Sequence, residues 1–423
     1  MGGFTFHPER AFVMREMHSR PFTLIPSPRR ILHYAFMPQS EARVNDRRAV
    51  RALCEARGLP GPPSGAKYHR ADFGSFILRW EGHSEFTTYT FEINADPGEA
   101  PFSPPPQSFA NLMAMVPPPG PLLVMVDLHL YDAPLDAPPP AQFNGREVAV
   151  SHVENQNATI ISDFHEGVAG FVAIAVQNHA LNPAQCGALV QRLLEIETYR
   201  TLALLGLPEA QALAPKIRQI ELELPQIIDE MRVGRSIEGN RSLLDRLTIL
   251  AAELEHGASS TAFRFGATKA YSQLIRLRLN AMDEQPVAGL TSWRSVFTRR
   301  FEPAVRTCAA TQTRADDLAA RLAHAAQLLR TRVQIDLETQ NSELLHKMND
   351  RAKLQLRLQQ TVEGLSVAAI TYYVSSLAER LFEGLHAAGA KVDPLIDTAL
   401  SVPLIFLLIT AVVWRIRARH KGE

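Results

Sequence analysis

A chain of 423 residues is long enough for two or three domains, and 46% hydrophobic with 21% charged residues excludes a disordered polymer. Its 44 Lys and Arg offset 44 Asp and Glu, so no global field draws in nucleic acid, which is not expected as a partner. Cys54, Cys186 and Cys308 lie far apart with no CxxC pair, which argues against a disulfide framework and a cysteine zinc site and suits reduced thiols.

Residues 1–28 hold Pro8, Pro21, Pro26 and Pro28, so extended or irregular backbone is expected there. The opening MGGFTFHPERAFVMREMHSRP has no apolar core of the signal-peptide kind. Residues 30–36 (RILHYAF) read as a first strand, and 41–57 (EARVNDRRAVRALCEAR) have helical spacing up to Gly58. Two aromatic, β-branched runs, 72–80 and 84–93, flank Glu81-Gly82-His83 and predict a hairpin. A proline-heavy stretch with a short helix near 109–115 leads to a strand over 121–131. The order strand, helix, strand, strand, short helix, strand is the split βαβ, ferredoxin-like plan. Three more strand-like runs, 147–153, 159–164 and 168–177, predict a meander that extends the sheet.

From Asn182-Pro183 onward the pattern is helical, with Asn182 as N-cap and Pro183 in the first turn. This helix is expected to stop at Gly206, with further helices over 209–232, 242–256 and 265–282 and a start near Thr291. Residues 316–360 contain no glycine or proline, and Leu322, Leu329, Val333, Leu337, Leu344, Met348, Leu358 and Val362 recur mostly at threes, fours and sevens. Asn341 and Gln355 interrupt that seam. About fifty helical residues would span roughly 75 Å, which reads as a coiled-coil-like stalk rather than a core helix.

Residues 398–414 carry no charge, and Arg415, Arg417, Arg419 and Lys421 follow at once. Such a run is a transmembrane candidate whose basic flank stays in the cytoplasm by the positive-inside rule. With no exported N-terminus in view, a hairpin is expected: one helix over about 365–383 goes out and one over about 395–414 returns. The fold class is therefore α+β: an N-terminal ferredoxin-like, antiparallel sheet domain, a helical region with a long stalk helix, and a C-terminal transmembrane hairpin. The expected domains are 1–180, 181–312, 313–363 and 364–423.

The stretches MHSRPFTLIPSPRR, YHRADFGSFILRWEGHSEFTTYTFE, RLLEIETYRTLALLGLP, RFGATKAYSQLI and LQQTVEGLSVAAITYYVSSL resemble an uncharacterised family of proteobacterial membrane-anchored proteins, a domain of unknown function. The resemblance spans nearly the whole chain and implies an inner-membrane anchor, without an activity or site residues. Relatives are expected to be apolar after the tyrosine pair, where this chain has Glu379, Arg380 and Glu383.

Candidate chemistry is sparse. His83 and Glu85 would share one face of a strand, where imidazole and carboxylate could ligate a metal or act as acid and base. The plainer reading puts both in a solvated turn, with Trp80 and Phe86 in the core. His18, Arg20, His33, Tyr68 and His69 are other polar groups of the same domain, and His152, Asp163 and His165 form a looser cluster. Arg294, Arg299 and Arg300 beside Trp293 and Phe297 read as a solvated helix face that could meet anionic lipid. Thr371, Tyr372, Ser375 and Ser376 stack as i, i+4 pairs, which suits helix packing in an oligomeric anchor or a pore lining.

No phosphate-binding GxxxxGK loop, GxSxG elbow or HExxH occurs. The expectation is a non-enzymatic scaffold or sensor without a cofactor, whose partners are the lipid bilayer and further copies of itself. It would sit in the inner membrane, with the N-terminal domain and the C-terminus cytoplasmic. Two alternatives are a metal-dependent enzyme using His83 and Glu85, and a cation channel. The architecture resembles the magnesium transport channels, although their Gly-Met-Asn loop is replaced here by GLHAAGAKVDP.

Overall fold

The computed structural model describes residues 6–10, 13–14, 23–95, 100–103, 112–167, 170–234, 236–391 and 393–420. His18, Arg20 and the first residues of the helix expected near 109–115 lie outside the described residues. Contacts divide the chain into one compact unit of residues 1–234 with 243–326, and another of 235–242 with 327–423.

The first unit is built on a nine-stranded sheet: β1 Arg29–Phe36, β2 Tyr68–Asp72, β3 Phe76–Gly82, β4 Thr87–Asn94, β5 Leu122–Asp132, β6 Ala149–Val153, β7 Ala158–Glu166, β8 Val172–Asn178 and β9 Gln285–Pro286. Its order is β2-β3-β4-β1-β5-β8-β7-β6-β9. β1 lies antiparallel between β4 and β5, and α1 (Ser40–Glu55) connects it to the hairpin side, which is the split βαβ arrangement. Among the described residues of the second connection stands a 3₁₀ turn, Leu112–Met115.

The sheet is mixed rather than wholly antiparallel, because β5 and β8 run parallel. The loop after β5 carries the chain outward so that the meander β6-β7-β8 is laid down from the far side back towards β5. Strand alternation sends Ile31 and Ala35 to one core and Leu32, Tyr34 and Phe36 to the other. The second core lies under Val50 and Cys54 of α1, and the first under α2 (Pro183–Leu204).

Asn182 caps α2 by accepting from the Ala184 and Gln185 amides, and Gln185 returns a bond to the Asn182 amide at 3.0 Å. Gly187 is needed because a Cβ there would fall 1.7 Å from the Thr23 carbonyl oxygen, so the incoming segment passes directly over this turn of α2. α2 ends at Leu204, as the expected stop at Gly206 implies, and after Leu205 α3 (Gly206–Val233) begins. The two helices expected over 242–256 and 265–282 are one, α4 (Ile237–Asn280). Gly257 inside it is a contact point, since a Cβ there would meet Leu213 at 2.7 Å.

After a short helix, Trp293–Val296, and a π turn, Phe297–Phe301, the helix α5 runs unbroken from Glu302 to Ala387. Pro303 sits in its first turn, where its missing N–H costs nothing. The stretch 365–383 continues the stalk as one helix, since Gly364 does not interrupt α5. In the second unit a turn with Gly389 at φ 91° leads to α6 (Pro394–His420).

Among the described residues one helix, Pro394–Ile416, is long and apolar enough to cross a membrane, with a mean hydropathy of 2.2. Leu395, Leu400, Leu404, Leu407 and Leu408 all stand exposed, whereas a core helix of this composition would be buried.

Candidate functional site

β3 and β4 are joined by a tight turn that the His83 amide closes by donating to the Phe86 carbonyl at 2.8 Å. His83 and Glu85 therefore occupy the turn, and the strand alternation that would have aligned them does not apply. The His83 ring stacks on Phe86 with centroids 4.0 Å apart. Glu85 is buried and faces α4, where Arg264 pairs with it and the Tyr271 hydroxyl donates to its Oε2 at 2.8 Å. Its carboxylate is thus committed to a guanidinium and a phenol, and no cluster of three His, Cys, Asp or Glu able to hold a metal occurs among the described residues.

Beside this turn opens a cleft of about 630 Å³. Trp80, His83 and Phe86 of the hairpin, Tyr199 of α2 and Tyr271 of α4 form its aromatic wall. The two tyrosines stack at 5.5 Å, and Phe86 stands edge-on to both at 6.3 and 6.4 Å. Burial and the neighbouring Glu85 carboxylate both push the Tyr271 phenol up, so it stays a proton donor. Arg43 and Arg47 of α1, with Lys67, supply a cationic part of the lining, and no Asp or Glu lines the cleft among the described residues.

The acid that sequence places beside Arg47 is turned inward. Asp46 accepts from Trp80 Nε1 at 2.9 Å and from the Tyr89 hydroxyl, and burial raises its pKa above the ordinary range. Arg43 and Arg47 stand one helical turn apart, and among the described residues neither has a carboxylate in ion-pair range. Arg43 Nε is buried without a hydrogen-bond partner. Like charges at i, i+4 cost a helix a few tenths of a kcal/mol. Nothing described in the protein offsets that here.

Behind the wall lies a second, small cavity of about 20 Å³, room for one water, which shares His83, Phe86 and Tyr199 with the cleft. Arg79 lines it at 3% exposure, with Nη1 3.4 Å from Thr23 Oγ1, Nε unpartnered and, among the described residues, no carboxylate in ion-pair range. His33, also on this cavity, lies between Thr90 Oγ1 at 2.8 Å and Thr198 Oγ1 at 3.1 Å. Thr198 donates its own proton to the Leu194 carbonyl, so it accepts from His33 Nε2–H, leaving Nδ1 to accept from Thr90. Burial, then the charges of Arg79 and His83, push the His33 pKa down to about 3, and the imidazole is neutral.

The other sequence candidates are dispersed. Asp163 pairs with Arg146 at 2.6 Å, and His152 bonds Thr159 at 2.9 Å. Arg294 and Arg300 pair with Glu284 and Glu147 at 3.5 and 3.1 Å. In the second unit Thr371 is buried and donates to the Val367 carbonyl, Ser375 and Ser376 are half-buried, and Tyr372 is exposed. Arg415 is exposed at the end of α6; the side chains of Arg417 and Arg419 and the whole of Lys421 lie outside the described residues.

Sequence reading singled out His83 and Glu85 but passed over Arg43, Arg47, Tyr199, Arg264 and Tyr271. Two arginines at helical spacing with the only intervening acid on another face were the available signal. Three of the quoted stretches, YHRADFGSFILRWEGHSEFTTYTFE, RLLEIETYRTLALLGLP and RFGATKAYSQLI, meet at this cleft, through the hairpin, Tyr199, and Arg264 with Tyr271. No curated protein and no solved structure matches the chain. A family match covers residues 5–420, and by it the chain belongs to the family described as "Protein of unknown function (DUF3422)".

Proposed function

We propose that this chain is a non-enzymatic, membrane-anchored sensor that assembles with copies of itself through α5. The observation that carries the reading is the uncovered seam of α5. Leu337, Asn341, Leu344, Met348, Arg351, Gln355, Leu358, Val362 and Leu365 alternate at fours and threes, and Leu344, Met348, Leu358, Val362 and Leu365 are all more than half exposed. A seam of this period is covered by other helices. A second copy anchored in the same bilayer supplies one in parallel, which sets Asn341 against Asn341 and Gln355 against Gln355. Polar seam positions of that kind are satisfied in one register only.

The anchor is a hairpin in this reading, with the end of α5 going out and α6 returning. Arg415, Arg417, Arg419 and Lys421 then lie in the cytoplasm of a bacterial cell, on the same side of the inner membrane as the first unit. The bilayer is the second partner. Light scattering of the full chain in detergent tests self-association. The expected mass is a multiple of 46.9 kDa for wild type, falling to one chain in a Leu344→Glu/Met348→Glu variant. A wild-type chain that is monomeric at every concentration would remove the reading.

A cation-conducting assembly is a second reading, supported by Thr371 and by the unpartnered Ser375 Oγ within an uncharged stretch. Ion flux into proteoliposomes that Thr371→Phe abolishes would favour it. An assembled oligomer without flux would count against it.

A further inference from the structure

We infer that the cleft between α1 and the β3–β4 turn binds a nucleoside polyphosphate, with Arg43 and Arg47 on the phosphates and the aromatic wall against the base. The inference rests on the sensor reading and gives that sensor its ligand class.

Three observations carry it. Arg43 and Arg47 line the cleft with no carboxylate in ion-pair range among the described residues, so their complement is an anion. Arginine forks match phosphate oxygens in pairs, and Asp46, which could have neutralised them, is held by Trp80 and Tyr89 instead. The cost of two unpaired arginines one turn apart, one with a buried Nε lacking a partner, is offset once a polyanion lies across both.

Much of the remaining lining is aromatic, and a phosphate alone makes no use of it. His83 stacked on Phe86, with the Tyr199–Tyr271 pair beside them, offers a surface for a planar ring. The volume, about 630 Å³, falls within the range of small-molecule sites. A ligand with several negative charges at one end and a flat heterocycle at the other satisfies both walls together.

The test is titration of the full chain in detergent with ATP, followed by tryptophan fluorescence, with sodium triphosphate, adenosine and a short single-stranded oligonucleotide in parallel. Saturable ATP binding is expected, tighter than either fragment, and weakened about tenfold or more by Arg43→Gln or Arg47→Gln. Arg218→Gln, on the exposed face of α3, should leave it unchanged. Thermal melts of each variant report whether the fold is kept. The inference is overturned if no probe binds, if triphosphate or adenosine alone binds as well as ATP, if the oligonucleotide binds more tightly, or if Arg218→Gln is as damaging. Mass measured on the same samples keeps self-association separate: oligomers that ignore ATP would sink the ligand assignment alone.

Discussion

Tyr271 donates its phenolic proton to Glu85 across 2.8 Å, tying the middle of α4 to the turn between β3 and β4. Arg264, two turns earlier on the same helix, completes the carboxylate's neutralisation, with both members of the ion pair nearly buried. One wall of the cleft is thus positioned by contacts 186 residues apart in sequence.

A buried pair is weak evidence for stability but costly to break from one side, because the remaining charge is left without a partner. Arg264→Met should lower the unfolding free energy by about 3 kcal/mol. Adding Glu85→Gln to the same chain should recover at least half of the loss. Urea unfolding followed by tryptophan fluorescence reads both, and equal losses in the single and double variants would show that the pair is not coupled.

His33 gives the first unit a defined response to acid. Its pKa is lowered from 6.5 to about 3, so between those values the unfolded chain binds a proton that the folded chain refuses. The stability this group contributes is complete above pH 6.5 and is lost as pH falls through that window, at about 1.4 kcal/mol per pH unit. Asp46 has the opposite sign: its raised pKa contributes stability below the ordinary carboxylate range that is lost as pH rises through the raised value. A His33→Gln variant should show a shallower loss between pH 6 and pH 4 than wild type. Parallel curves over that interval would mean that His33 is not held neutral.

Gly187→Ala tests the seating of the N-terminal segment. The added carbon meets the Thr23 carbonyl oxygen, a backbone atom that cannot rotate aside. A loss of about 2–3 kcal/mol is expected from the forced backbone shift. Because the Thr23 hydroxyl is a neighbour of Arg79, the tryptophan signal of the cleft should change as well. Calorimetry and fluorescence of the same variant check the two effects, and a melt identical to wild type would contradict the close approach.

Much of the sheet was legible because strands with both faces buried read as short runs of aliphatic and aromatic residues, as in RILHYAF, and because Asn182-Pro183-Ala-Gln185 is a complete helix start. β2 was missed because its YHRAD contains no β-branched residue and pairs only with β3 at the sheet edge. The break expected between 256 and 265 does not occur, and Gly257 within it marks a place where another element comes within contact distance. Helix propensity says nothing of such neighbours. The parallel β5–β8 pair was hidden for a related reason, since it depends on where a long loop delivers the chain. As for the cleft, its hairpin residues stood out by density of polar and aromatic types. Arg43, Tyr199 and Tyr271 did not, because each looks ordinary within its own helix and becomes part of a site only when three elements converge.

The central claim is that the first unit and the basic end of α6 lie on the same side of a bilayer. Cys54, Cys186 and Cys308 are all buried, so a thiol introduced by Glu423→Cys is read against a background of buried cysteines. Treated with a membrane-impermeant maleimide, intact bacterial cells should leave that thiol unlabelled, and permeabilised cells should label it fully. Labelling of intact cells would contradict the account.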